Sequence, residues 1–151
     1  MGELEASHTV EIEATIEEVY AVAANVEGAV EWQPSVVAIE VIEKHPDGSA
    51  KLVELEADAV VKKAKSVLRY EYAPPSGISW VQEQGDTKSL TGEWILTAVD
   101  ERTTRATYAL RADPGRMLGM LLRGPVEGKV KEFLTRGAAE GLKEHCESNR
   151  V

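Results

Sequence analysis

Hydroxyl and aromatic side chains spaced two residues apart are the groups in this chain best suited to chemistry. In the segment 63–72, Ser66 and Tyr70 lie on the apolar side of an alternating run whose other side is charged. Aromatic rings supply apolar contact area, while hydroxyl, amide and indole groups orient a ligand by hydrogen bonding. We predict a mainly apolar pocket suited to a lipid, quinone, sterol or polycyclic aromatic compound. The side chains predicted to face it are Trp32, Ser66, Tyr70, Trp80, Gln82, Trp94, Tyr108, Met117, Met120 and Phe133.

The same side chains also have a purely structural interpretation. They can fill an ordinary core, with their polar tips bonded to backbone groups or to water. For any single residue this interpretation is the simpler one, so the pocket depends on how the whole set is arranged.

Histidine and cysteine offer no catalytic or metal-binding arrangement. His8 and His45 are isolated, and His145 and Cys146 are neighbours on a predicted helix, where adjacent side chains diverge by about 100°. No group of His, Cys, Asp or Glu has the spacing of metal ligands, and phosphate-loop and dinucleotide motifs are absent. We therefore predict no metal, no cofactor and no cysteine nucleophile.

The size and composition of the chain favour one compact domain, predicted to span residues 1–151. Of the residues, 43% are hydrophobic and 28% are charged, which is an ordinary globular balance. No apolar run approaches the roughly 20 residues of a membrane span, and the N-terminus lacks a signal-like apolar core. The single cysteine cannot form an internal disulfide. These features predict a cytoplasmic protein.

The net charge of −9 comes from the first part of the sequence. Residues 1–60 carry 14 acidic residues and only two basic ones, Lys44 and Lys51. In the predicted strands these acids alternate with apolar residues, which predicts that they form a solvated face. An acidic chain repels the nucleic-acid backbone, so we expect no nucleic-acid partner.

The elements that must position the pocket are seven strands and a long C-terminal helix. A first strand at 8–14 is followed by a helix capped by Thr15 and a short helical piece at 27–31. From Val36 onward, apolar and polar residues alternate between short turns, which indicates an antiparallel sheet with one dry face. Val37, Ile39 and Val41 are predicted to share one face of the second strand. The segment 126–147 has apolar residues at helical intervals.

A Met- and Leu-rich segment, 116–123, separates the last strand from that helix. It is suited to a flexible entrance that touches an anionic membrane, because its apolar residues are flanked by Arg116 and Arg123. The alternative is a short helix packed on the sheet edge. Gly128, Gly137 and Gly141 weaken the long helix, so they indicate either a close approach to the sheet or frayed helix ends.

Several stretches of the sequence resemble one superfamily. The stretches 10–15 (VEIEAT), 18–20 (EVY) and 31–36 (EWQPSV) are similar to its first strand, its early helix and a Trp-x-Pro-x-Val step into its second strand. The stretches 90–94 and 103–110 resemble its last two strands. This is the START-like, or SRPBCC, superfamily, which includes pollen allergens, lipid-transfer domains and polyketide aromatase/cyclases. The resemblance implies an α+β helix-grip fold, in which a curved seven-stranded antiparallel sheet wraps around a long C-terminal helix and two short helices follow the first strand.

The resemblance implies a cavity between sheet and helix, and with it three functions. The first is binding or transport of a hydrophobic small molecule, without catalysis. The second is a polyketide aromatase/cyclase-like enzyme, in which Tyr70, Tyr108 and Ser66 polarise a carbonyl or position water. The third is a protein-interaction module that uses the acidic first 60 residues.

Overall fold

The computed structural model describes residues 3–148, and seven strands of these residues form one antiparallel sheet. Its spatial order is β1-β7-β6-β5-β4-β3-β2, so β1 and β2 are the two edges. The strands are β1 (Leu4–Ile12), β2 (Val36–Lys44), β3 (Ala50–Asp58), β4 (Lys63–Ala73), β5 (Gly77–Gly85), β6 (Ser89–Asp100) and β7 (Thr103–Asp113).

Within the described part of the chain, three α-helices and one 3-10 helix complete the fold. They are α1 (Ile16–Ala24), the 3-10 helix (Val26–Glu31), α2 (Gly115–Leu121) and α3 (Pro125–Ser148). The predicted cap of α1 is present, because Thr15 Oγ1 accepts a hydrogen bond from the Glu18 backbone N–H and Glu18 Oε1 accepts one from that of Thr15, each at 3.1 Å. No helix within residues 3–148 is long and apolar enough to cross a membrane.

The alternation in β4 explains which face of the sheet becomes the core. Ala64, Ser66, Leu68 and Tyr70 are buried, whereas Lys63 and the other charged residues of the strand point the other way. The same period continues in the neighbouring strands β5 and β6, where Trp80 and Trp94 are buried. The sheet curves around α3, and the predicted helix-grip fold is confirmed.

The prediction for β2 was wrong at Val37. The pairing of β2 with β3 shifts between Val36 and Ala38, and again between Val41 and Lys44. The first irregularity leaves Val36 buried and Val37 42% exposed. A bulge reverses the direction of the side chains that follow it, and simple alternation carries no sign of it.

The glycines of α3 have different surroundings. A Cβ on Gly141 would lie 2.0 Å from the backbone oxygen of Trp32, so this glycine allows α3 to approach the segment after the 3-10 helix. A Cβ on Gly137 would make an ordinary contact with Pro34, 3.6 Å away. Gly128 faces open space. Close approach therefore explains Gly141 alone.

Candidate functional site

A cavity of about 170 Å³ lies between the concave face of the sheet and α3. Its lining is mostly apolar and comes from every strand, from the 3-10 helix and from α2 and α3. The alternation of β4 contributes Ser66 and Tyr70, and α3 contributes Val130 and Leu134. The cavity is therefore part of the hydrophobic core itself.

Five aromatic residues form a continuous series along this cavity, which we call the aromatic wall. Its members are Trp32, Tyr70, Trp80, Trp94 and Tyr108. Ring centroids are 5.4 Å apart for Tyr70 and Trp80, and 5.6 Å apart for Trp80 and Tyr108. The series continues from Tyr108 to Trp94 at 4.7 Å and from Trp94 to Trp32 at 6.1 Å. Such ring contacts fix the side chains of the wall against one another.

The Tyr108 hydroxyl is held by a residue from the loop before β2. Gln33 Nε2 donates a hydrogen bond to Tyr108 Oη at 3.2 Å. Burial raises the pKa of Tyr108 to about 12, although the hydrogen bond from Gln33 acts in the opposite direction. Tyr108 is therefore neutral and protonated at physiological pH.

The hydroxyls of Tyr70 and Ser66 face the free volume. Among residues 3–148 no group forms a hydrogen bond with either hydroxyl, and neither oxygen is completely enclosed by protein. Burial raises the pKa of Tyr70 far above its ordinary value, and the nearby Tyr108 and Tyr72 add to the effect. Among the residues predicted to face the pocket, the cavity thus holds the neutral phenols of Tyr70 and Tyr108 and the Ser66 hydroxyl.

Charged residues occur only at the margin of the described lining. Glu127 and Lys131, one turn apart on α3, form an ion pair at 3.0 Å with both side chains partly exposed. Glu5 is paired with Arg111 at 3.0 Å. The interior carries no paired acid and base for proton transfer within residues 3–148.

The structure brings together six of the ten side chains predicted to face the pocket: Trp32, Ser66, Tyr70, Trp80, Trp94 and Tyr108. The other four are placed outside the lining. Gln82 turns to the β5–β6 hairpin, where its Nε2 donates to the Thr87 carbonyl at 2.9 Å. Met117 and Met120 are 80% and 60% exposed, and Phe133 lies half-buried beside the cavity-facing stripe of α3. Whether the six bind a ligand stays a prediction.

Gln33, Leu118 and Leu122 are among the lining residues that the sequence did not predict. Gln33 belongs to a non-periodic loop, so alternation gave no direction for its side chain. Leu118 and Leu122 face the cavity where we expected Met117 and Met120. The Trp-x-Pro step was the one available signal for Gln33, because it marks the place where the chain turns toward the sheet.

Cys146 has the environment of a structural thiol. Burial raises its pKa to about 11, and Glu18 and Glu147 add to the effect. A thiol that is protonated at neutral pH is a poor nucleophile.

Comparison with known proteins gives one family. The sequence model of the family described as "Polyketide cyclase / dehydrase and lipid transport" matches residues 3–147. No curated protein sequence matches the chain.

Solved structures share the fold over the whole chain. A START superfamily protein from Mycobacterium smegmatis has a TM-score of 0.84 and 18% identity, covering 99% of this chain and 100% of that one. A protein from Thermus thermophilus has a TM-score of 0.84 and 23% identity, covering 98% and 100%. An aromatase/cyclase from a Streptomyces species has a TM-score of 0.78 and 18% identity, covering 99% and 100%. At these low sequence identities, the similarity to the three structures establishes a shared fold.

Proposed function

Because the chain belongs to the polyketide cyclase/dehydrase and lipid transport family, we propose that it binds a small hydrophobic molecule between sheet and α3. It does so as a single START-like domain. The observation that carries this proposal is the apolar cavity with the unpaired hydroxyls of Tyr70 and Ser66. A core selected only for stability has few such voids.

The volume of the cavity limits what fits without rearrangement. An apolar protein cavity of roughly 150 Å³ takes up benzene, and pockets for larger ligands occupy roughly 300–1,000 Å³. At about 170 Å³, this cavity suits a one-ring compound. A lipid or a polycyclic aromatic compound requires the surrounding elements to move apart.

Helix α2 is the element best placed to open. Leu118 and Leu122 line the cavity, while the opposite side of the helix is exposed. Gly115, the first residue of α2, and Gly124, between α2 and α3, have φ angles of 81° and 67°, in the left-handed region that favours glycine. In our proposal α2 swings about these two positions to admit and release the ligand.

The exposed side of α2 also fits an anionic membrane surface. Met117, Met120 and Leu121 are 80%, 60% and 50% exposed. Arg116 and Arg123 are exposed at its two ends, and neither forms an ion pair within residues 3–148. An apolar patch between cations suits a headgroup layer of opposite charge. We propose transient membrane contact here as the route by which an apolar ligand is exchanged.

Calorimetric titration with toluene tests the binding function. We expect the wild type to bind toluene and Ala64→Leu to lose binding, because Ala64 lines the cavity and leucine fills it. Ala98→Leu is the matched control, since Ala98 is exposed on β6. The proposal is wrong if the wild type shows no binding, or if both variants bind like the wild type.

A cyclase-like activity is the alternative that the hydroxyls favour. Tyr70, Tyr108 and Ser66 share one cavity and can polarise a carbonyl. Against it, the interior of the described cavity holds no acid–base pair. A poly-β-ketone substrate discriminates the two: turnover that is lost in Tyr70→Phe and Tyr108→Phe supports the enzyme, and binding without turnover supports the carrier.

A further inference from the structure

We propose that the cavity is specific for a neutral one-ring compound whose carbonyl oxygen accepts hydrogen bonds from Tyr108 and Tyr70. This inference rests on the proposed binding function and names the class of ligand. It follows from the direction of the hydrogen bonds at the aromatic wall, from the absence of a free charge in the described lining and from the cavity volume.

The hydrogen bond from Gln33 leaves the Tyr108 hydroxyl available as a hydrogen-bond donor. Gln33 Nε2 donates to Tyr108 Oη at 3.2 Å, so the phenol oxygen already acts as an acceptor. The proton of the same hydroxyl has no acceptor among residues 3–148. The Tyr108 hydroxyl can therefore still donate a hydrogen bond, and the acceptor would have to lie in the cavity that Tyr108 lines.

Tyr70 supplies a second donor on the same surface. Its hydroxyl has no partner within residues 3–148, and its ring and that of Tyr108 lie against the same indole, Trp80, at 5.4 and 5.6 Å. Both tyrosines line the same cavity. A carbonyl oxygen has two lone pairs, so it can accept from both hydroxyls at once.

Charge excludes the two commonest competitors. A carboxylate would be buried without a counter-ion, because Lys131, the cation of the described lining, is already paired with Glu127 at the margin. An ammonium ion would need a free carboxylate, and Glu5 is paired with Arg111. A neutral carbonyl satisfies the hydroxyls without either cost.

Three compounds that share one monosubstituted benzene ring test the inference by calorimetry at neutral pH. Acetophenone carries the carbonyl, ethylbenzene replaces it by a methylene, and benzoate carries a charge. We expect acetophenone to bind roughly tenfold more tightly than ethylbenzene, the usual effect of one buried hydrogen bond. Benzoate should bind more weakly than both.

Phenylalanine variants test whether the two tyrosine hydroxyls cause the preference for acetophenone over ethylbenzene. Tyr108→Phe and Tyr70→Phe should each reduce the ratio of acetophenone affinity to ethylbenzene affinity several-fold, and detectable binding of ethylbenzene shows that the cavity is intact. Tyr72→Phe is the matched control, because the Tyr72 hydroxyl donates to the Ala50 carbonyl at 2.6 Å and lies outside the lining. It should retain the wild-type preference.

The outcomes separate this inference from the function on which it rests. Equal binding of acetophenone and ethylbenzene overturns the inference and leaves the binding function standing. The inference also fails if benzoate binds most tightly, or if Tyr108→Phe and Tyr70→Phe both keep the wild-type preference. If none of the three compounds binds, the proposed function falls as well.

Discussion

The indole of Trp80 lies across the backbone of Gly92, its partner on β6, so closely that a Cβ on Gly92 would stand 2.4 Å from the ring. This contact lets Trp80 extend over β6 and reach Tyr108 on β7. The aromatic wall therefore depends on one residue without a side chain.

The first prediction concerns this contact. Gly92→Ala should displace Trp80 and lower the free energy of unfolding by about 1–3 kcal/mol, as overpacking of a core does. Urea denaturation gives the energy, and near-ultraviolet circular dichroism reports the displaced indole. In a Trp80→Leu background the same substitution should cost much less, because the ring is gone. Equal costs in the two backgrounds would contradict the explanation.

A second prediction compares two glycines of α3. Gly141→Ala should destabilise the protein by at least about 2 kcal/mol, because its Cβ would meet the Trp32 backbone oxygen at 2.0 Å. Gly128→Ala, on the same helix and facing open space, should stabilise it by up to about 1 kcal/mol. Thermal unfolding of the pair measures both. A stable Gly141→Ala variant would show that α3 does not need this close approach.

The third prediction is a loss of stability at alkaline pH. Tyr108 has a pKa of about 12 in the folded protein, against an ordinary value of 10, and that of Tyr70 is raised further. The folded state thus keeps protons that the unfolded state releases above about pH 10. Stability is fully present below that pH and falls as the pH rises toward 12, by about 1.4 kcal/mol per pH unit for each such tyrosine.

Urea denaturation between pH 8 and pH 11 measures this slope. Tyr108→Phe should make the decline shallower, since it removes one of the groups whose protonation differs between the two states. Wild-type and variant curves that run parallel across this range would refute the assignment to Tyr108.

Membrane contact by α2 is the fourth prediction. The wild type should sediment with phosphatidylglycerol vesicles at low salt and not with phosphatidylcholine vesicles, since Arg116 and Arg123 favour an anionic surface. The double variant Met117→Glu/Met120→Glu should lose the association. The control is Val81→Glu/Ile95→Glu, which places the same charges at exposed apolar residues of β5 and β6. If both double variants behave alike, α2 is not the contact surface.

The sequence could predict the site where its elements have a regular period. Alternation correctly placed Ser66, Tyr70, Trp80, Trp94 and Tyr108 on the buried face. The cavity-facing side of a helix was harder to predict. Because α2 is apolar around most of its circumference, nothing in its pattern distinguished Leu118 from Met117. The loop that carries Gln33 has no period, and its direction is set by contacts with α3 and β7 that lie far away in sequence.

The irregular edge of the sheet has a consequence for how copies of this chain behave together. β2 is an edge strand, and a regular edge offers its free backbone groups to a strand of another molecule. The shifts of register that exposed Val37 interrupt such a ladder, and Glu40 and Glu43 place charges along it. At the other edge, Lys143 Nζ donates to the Glu11 carbonyl of β1 at 2.7 Å. Both borders of the sheet thus carry features that oppose edge-to-edge pairing with another copy of the chain.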